Sequence, residues 1–300
     1  MNNIFITGAS GFLGANLVKH FITAGLKVTA VIRANGSRES FDQLNCHVIE
    51  YDGSISSLQE CLDSNTTVIH TASYYVAEHT SQDLPVLIES NLKYGLDLLE
   101  AMRTSGARRI LNIGTAWQGY EGVDRRPVNL YAATKQSFED LIAYYCDAEE
   151  FSAISLRLND TYGEEDKRMK LLKLLISRGV NQKALDMSGG EQIINITHVE
   201  DVCRAISFAI NIMPECSNID KYNLQSNSNF SLRELAKLIE DEIGIAVPIN
   251  WSVKEYRRRE VMIPTNNFPL KGFVFEYNIR DGIRLIYDTL KAKTQNRSEI

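Results

Sequence analysis

Tyr131 and Lys135 close the segment Tyr131-Ala-Ala-Thr-Lys135, and a spacing of four puts two side chains on one face of a helix. A free phenol ionises near pH ~10 and carries protons poorly at neutrality. An ammonium beside it favours the phenolate and moves it toward the working range of a general acid or base. Thr115 follows the apolar run Arg109–Ile113. Its hydroxyl could hydrogen-bond the same substrate oxygen, or satisfy its own backbone instead. Trp117 is read as packing.

A second motif fits a redox cofactor. Thr7-Gly8-Ala-Ser10-Gly11-Phe12-Leu13-Gly14 lies between the β-branched run Ile4–Thr7 and a helical pattern with Leu13, Leu17, Val18, Phe21 and Ile22 on one face. A dinucleotide needs one glycine for the sharp turn, one for close approach of the main chain to the pyrophosphate, and one for tight helix–strand packing. Amides of the first helical turn then face the anion. Gly8, Ser10, Gly11, Phe12, Leu13 and Gly14 are therefore expected at the cofactor. The second strand-like run ends Val31-Ile32-Arg33 without the acid that would bind both ribose hydroxyls, and no acid occurs until Glu39. Arg33 and Arg38 suit a 2′-phosphate, so NADPH is expected over NAD(H); the alternative is that either is a solvated loop charge. Asp52 could bond the adenine amine or cap its own loop.

These residues need a frame. Strand-like runs at Ile4–Thr7, Val28–Ile32, His47–Glu50, Thr67–His70, Arg109–Ile113 and Ala153–Arg157 alternate with helical patterns, one from Pro85 to Thr104 and one from Asn129 to Asp147. Gly25 sits where the first helix would stop. This rhythm predicts an α/β fold with a doubly wound parallel sheet covered on both faces. Beyond Gly163 the rhythm changes. The run Ile193–Thr197 and a helix over Val199–Ile212 read as a return to the first domain. Ser231-Leu-Arg-Glu234 reads as a capping box opening a helix to Ile243, followed by a short strand near Ala246–Trp251 and a last helix over Ile279–Lys291. The predicted domains are residues 1–163 with about 191–215, and a smaller one from 164–190 and 216–300.

Composition narrows the class. Of 300 residues, 44% are hydrophobic and 23% charged, which excludes disordered and fibrous classes. A net charge of −6 argues against a nucleic-acid binder. Five scattered cysteines (Cys46, Cys61, Cys146, Cys203 and Cys216) show no metal-ligand spacing, so reduced thiols and no metal are expected. No apolar run approaches the ~18 residues of a membrane span, and the N-terminus lacks a signal pattern. A soluble, cytoplasmic protein is expected.

Together these residues resemble the extended short-chain dehydrogenase/reductase family, the nucleotide-sugar epimerases, dehydratases and reductases. The likeness runs through Gly8, Gly11, Gly14, His70-Thr71-Ala72, Asn91, Thr115, Tyr131, Lys135, Arg157…Tyr162-Gly163 and His198-Val-Glu-Asp201. It implies a Rossmann domain, a small C-terminal sugar-nucleotide domain and a homodimer. Catalysis would fall to Thr115, Tyr131 and Lys135, with Thr71 and Ala72 also at the cofactor. Gly114-Thr-Ala-Trp-Gln118, Val128–Asp140, Asp160-Thr-Tyr-Gly163 and Tyr256–Met262 are similar to the CDP-4-keto-3,6-dideoxyhexose reductases of O-antigen sugar synthesis, which make abequose or paratose.

That narrower likeness implies NADPH-dependent reduction of the C4 ketone of a nucleotide-linked deoxyhexulose. Family dehydratases carry Asp and Glu just after the threonine, where this chain has Ala116 and Trp117, so dehydration is disfavoured. The alternatives are an NAD-dependent 4-epimerase and a catalytically silent cofactor-sensing protein. Asp160 and Thr115 are expected at the sugar. The substrate diphosphate is assigned to cations of the second domain, chiefly Arg168, Arg257 and Arg259, with Lys170 and Lys173 as further candidates. His198 and Asp201 are expected to fix the interdomain turn rather than touch substrate.

Overall fold

The computed structural model describes residues 3–215 and 217–298. In chain order the elements are β1 (Asn3–Thr7), α1 (Phe12–Thr23), β2 (Lys27–Arg33), β3 (His47–Tyr51), α2 (Ser56–Gln59), β4 (Thr66–His70), α3 (Leu84–Ile88), α4 (Tyr94–Ser105), β5 (Arg109–Thr115), α5 (Leu130–Glu149) and β6 (Ser152–Leu158). There follow β7 (Asp160–Tyr162), α6 (Leu171–Asn181), β8 (Leu185–Asp186), β9 (Ile193–His198), α7 (Val199–Asn211), β10 (Asn218–Leu224), β11 (Asn229–Ser231), α8 (Leu232–Ile243), β12 (Ile249–Asn250) and α9 (Ile279–Ser298).

Seven parallel strands form the main sheet in the order β3-β2-β1-β4-β5-β6-β10. The β-branched runs are buried on both faces, as a covered parallel sheet requires. Leu17, Val18 and Phe21 turn the inner face of α1 into this core, and α1 ends before Gly25 at φ +79°. Strand order reverses between β1 and β4, and the crevice beyond the carboxyl ends of such a pair is where doubly wound sheets bind ligands. Thr7 and His70 are register partners at those two ends.

The segment expected as one helix from Pro85 to Thr104 is instead α3 and α4 joined by a π-helical turn, Glu89–Lys93. The wider turn aims buried Asn91 inward. Its amide donates to the Tyr74 carbonyl (3.0 Å) and Thr134 Oγ1 (2.9 Å), and its oxygen accepts from the Tyr74 amide (2.7 Å).

Chain contacts divide the molecule into one unit of residues 1–158, 203–224 and 267–273, and another of 159–202, 225–266 and 274–300. The expected boundaries of 1–163 with 191–215, and of 164–190 with 216–300, differ from these at 159–163, at 267–273 and at two strands. β9, expected to rejoin the first domain, pairs in parallel with β7 and antiparallel with β11, forming a three-stranded sheet of the second unit. β10, absent from the sequence expectations, is the seventh strand of the main sheet; its polar pattern and half-exposed edge position hid it. The second unit has its own core, in which Leu172, Leu175, Ile176, Leu235, Ile239 and Ile283 interdigitate. Ser231 and Glu234 form the expected reciprocal cap of α8. Cys46, Cys61, Cys146 and Cys203 form no disulfide among the described residues, and Cys216 lies outside them. Among the described residues no helix is long and apolar enough to cross a membrane.

Candidate active site

The turn after β1 is built for close approach. Gly8 has φ +66°, and a Cβ there would lie 2.7 Å from the Ala72 nitrogen and 2.8 Å from Thr71 Oγ1. A Cβ on Gly14 would collide with the Gly8 carbonyl, so α1 packs directly on the turn. The N-cap of α1 is Gly11, which makes no side-chain cap to the first turn (Phe12, Leu13 and Gly14), while Ser10 is exposed on the turn itself. Thr7 Oγ1 bonds His70 Nδ1 at 2.9 Å, and Thr71 Oγ1 donates to the Thr7 carbonyl at 2.7 Å. These bonds lock the ends of β1 and β4 together beneath the crevice. Burial, with the nearby Lys135 charge, holds His70 well below its ordinary pKa, so the ring is neutral.

Tyr131 is the second residue of α5, whose start is fixed by Asn129: Oδ1 accepts from the Ala132 amide (2.9 Å) and Nδ2 donates to the Ala77 carbonyl (2.9 Å). The half-buried Tyr131 ring meets Tyr75 edge-on at 5.0 Å, and Tyr75 lies 6.2 Å from Trp117. Lys135, one helical turn further in, is 2% exposed. Among the described residues its ammonium makes no hydrogen bond or ion pair. Burial lowers its pKa to about 8, against a smaller opposing pull from Glu139.

Thr115 ends β5 and caps a 3-10 turn, Ala116–Gln118, with Oγ1 accepting from the Trp117 amide at 3.3 Å. The alternative expected of this hydroxyl, bonding its own backbone, is thus realised. The same oxygen accepts from the Gln118 amide in a reciprocal capping box, and the O–H is left to donate elsewhere. The turn is tied to α5 by a buried polar cluster. Glu139 Oε2 accepts from Gln118 Nε2 (3.0 Å), Ser155 Oγ (2.5 Å) and Arg157 Nε (3.2 Å), while Oε1 accepts from Arg157 Nη2 (2.6 Å). Burial pushes the Glu139 carboxyl up, but Arg157, Ser155 and Lys221 outweigh it and hold it below the usual range. Residue chemistry alone did not single out Gln118, Glu139, Tyr75 or Asn129; Gln118 sat unassigned inside the Gly114–Gln118 motif.

The remaining expected cofactor residues fall at the ends of β2 and β3. Arg33 is exposed at the end of β2. Arg38 is taken by Glu50, with Nη2 at 2.9 Å and Nε at 3.2 Å from the same oxygen. Asp52 Oδ1 accepts from the amide and hydroxyl of Ser54, a loop cap.

In the second unit, Arg168 forks onto Asp166 (2.9 and 2.8 Å), Lys170 pairs with Asp160 (3.6 Å), and Lys173 donates to the Asp166 carbonyl. A cleft there is lined by Asp160, Tyr162, Lys170 and Lys173. Arg257 is exposed and Arg259 half-buried in the loop after Trp251. His198 stacks on Tyr277 at 4.0 Å and accepts from the Glu200 amide at Nδ1 (3.3 Å), and Asp201 accepts the amides of Glu276 and Tyr277.

The first unit fits a nicotinamide dinucleotide on two counts. Its glycine turn admits a close main-chain approach, and Lys135, 2% exposed, carries an ammonium with no hydrogen-bond or ion-pair partner among the described residues.

Comparison with known proteins extends this. CDP-abequose synthase of Yersinia pseudotuberculosis is 26% identical over 288 residues, covering 91% of this chain and 97% of that protein. CDP-abequose synthase of Salmonella typhimurium is 25% identical, covering 92% and 93%. The structure of Thermus thermophilus UDP-glucose 4-epimerase in complex with NAD superposes with a TM-score of 0.82 at 22% identity, covering 96% of this chain and 99% of that one, which shows a shared fold. Residues 4–224 match the profile of the NAD dependent epimerase/dehydratase family. The chain belongs to that family, as an NAD(P)-dependent oxidoreductase-type enzyme with a Rossmann-like sheet.

Proposed function

We propose that the enzyme reduces the C4 ketone of a nucleotide-linked deoxyhexulose with NADPH, the reading that matches the CDP-abequose synthases in substrate class. The observation that carries it is the buried, unpartnered Lys135 one turn below Tyr131, behind a dinucleotide-shaped turn. The chemistry the cofactor supplies when bound is a hydride for C4, leaving the oxidised nicotinamide. Tyr131 gives its proton to the ketone oxygen, so the carbonyl becomes a secondary alcohol. Lys135 holds the cofactor ribose and, by its charge, eases departure of the phenolic proton. Thr115 donates its free O–H to the same oxygen and orients it. Ala116 and Trp117 carry no proton, which supports reduction over dehydration.

The 2′-phosphate of NADPH is assigned to Arg33, which is exposed and, among the described residues, held by no acid. Arg38 contributes only by leaving Glu50, an exposed pair that costs little to break. The adenine contact of Asp52 is kept as a proposal, its second oxygen serving the amine. In the second unit Arg257 and Arg259 are proposed for the diphosphate and Asp160 for the sugar. Arg168 is the weaker assignment, since Asp166 already satisfies its fork. A homodimer is proposed through α3 and α5, where Leu84, Val86, Ile88 and Tyr144 are exposed. The cytoplasm is the proposed place of work.

Purified enzyme given a CDP-linked 4-keto-3,6-dideoxyhexose is expected to consume NADPH and release the 4-hydroxy sugar. Tyr131→Phe should cut turnover by about 10²–10⁴-fold. Copurified NAD, with redox-neutral exchange of C4 epimers, would assign a 4-epimerase instead.

A further inference from the structure

Gln118 is wholly buried in the turn after β5, and both ends of its amide are engaged. Oε1 accepts from the Thr115 amide at 2.9 Å; Nε2 donates to Gln136 Oε1 at 3.2 Å and to Glu139 Oε2 at 3.0 Å. The amide cannot be turned over, because its nitrogen only donates and the Thr115 N–H needs an acceptor. Space for it comes from Gly114, where a Cβ would lie 2.7 Å from Gln118 Oε1 and 2.9 Å from Arg157 Cγ. Glu139 lies one helical turn past Lys135 and about two past Tyr131, on the same α5. One buried carboxylate therefore anchors the Thr115 turn to the helix that carries the other two residues.

We propose that Gln118 is a positioning residue: it fastens the Thr115 turn to α5 through Glu139, so that the Thr115 hydroxyl and Tyr131 meet one substrate oxygen. The inference rests on the roles given above to Thr115 and Tyr131. A glutamate at 118 would set a second carboxylate against Glu139. An apolar side chain would leave the buried Thr115 amide without its acceptor and take one of three donors from Glu139 Oε2, with nothing to fix the turn. The effect on rate comes from geometry, since a misplacement of about 1 Å at a reacting group costs up to about 10²-fold.

The test is a double-mutant cycle of Gln118→Met, close in length but without an amide, with Thr115→Val. Gln118→Met is expected to lower kcat by about 10- to 100-fold while KM and the NADPH dissociation constant stay within about twofold. In the Thr115→Val background it should change kcat by less than about threefold, because the group it positions is gone. An unchanged kcat, or an equal loss in both backgrounds, overturns the proposal. Gly114→Ala crowds Gln118 Oε1 without removing a hydrogen-bonding group; it should give the same signature and stands in if Gln118→Met fails to fold.

Hydrogen exchange at the Thr115 amide needs no substrate. Faster exchange is expected in Gln118→Met, and unchanged protection refutes the anchor by itself. If wild-type enzyme turns over no 4-keto nucleotide sugar, the functional reading falls. The cycle is then run on C4 epimerisation, which passes a proton through the same groups.

Discussion

Lys135 on α5 and Arg157 on β6 are both 2% exposed, yet their surroundings are opposite. Arg157 is saturated: it pairs with Glu139 and Asp124 at 2.6 Å each and reaches Gln136 at 3.3 Å. Despite burial, those carboxylates keep its pKa above the ordinary value. Lys135 has no hydrogen-bond partner among the described residues, and burial lowers it to about 8. A buried charge whose partners are all protein groups is scaffold. One left without them carries a desolvation cost that the folded chain alone does not offset, and such groups concentrate at functional sites.

Removing each cation should therefore move stability in opposite directions. The largest effect is expected from Arg157→Leu, which takes from buried Glu139 its bidentate guanidinium and leaves Lys221, at 3.3 Å, as its ion-pair partner among the described residues. The loss should be about 3–5 kcal/mol by denaturant titration. A loss below about 1 kcal/mol would erase the contrast.

Lys135→Met should stabilise the cofactor-free protein. A pKa lowered from 10.5 to about 8 corresponds to roughly 3 kcal/mol at 1.36 kcal/mol per unit. Between those two values the unfolded chain binds more protons than the folded one, so wild-type stability rises with pH there. The penalty is present in full below about pH 8 and gone above about pH 10.5. The advantage of the Met variant should follow the same course, and an advantage independent of pH would contradict a buried ammonium.

The smallest effect sharpens the picture at the surface. Arg33→Ala should weaken NADPH by about tenfold and leave NADH nearly unchanged. Equal weakening of both would return Arg33 to the status of a solvated charge.

What was legible in the sequence followed from local rules. The Gly8–Gly14 turn, the Tyr131–Lys135 spacing and the cap at Ser231 are each written within a few consecutive residues, and the structure forms all three elements as read. The buried cluster under Thr115 could not be read that way. Gln118, Gln136, Glu139, Ser155, Arg157 and Lys221 meet only after β5, β6, β10 and α5 assemble. The same limit hid β10, whose Asn-Ile-Asp-Lys-Tyr pattern becomes a strand only against β6. Asn91 falls between these cases. Its presence was noted, but the π turn depends on Tyr74 and Thr134, 17 and 43 residues away.

We propose that the Lys135 ammonium, without a hydrogen-bond partner among the described residues, takes the cofactor as its partner. Calorimetric titration of NADPH into wild type and Lys135→Met tests it most directly. At least tenfold weaker binding to the variant, together with a higher melting temperature of the cofactor-free protein, is the predicted result. Equal affinity for NADPH in the two proteins would contradict it.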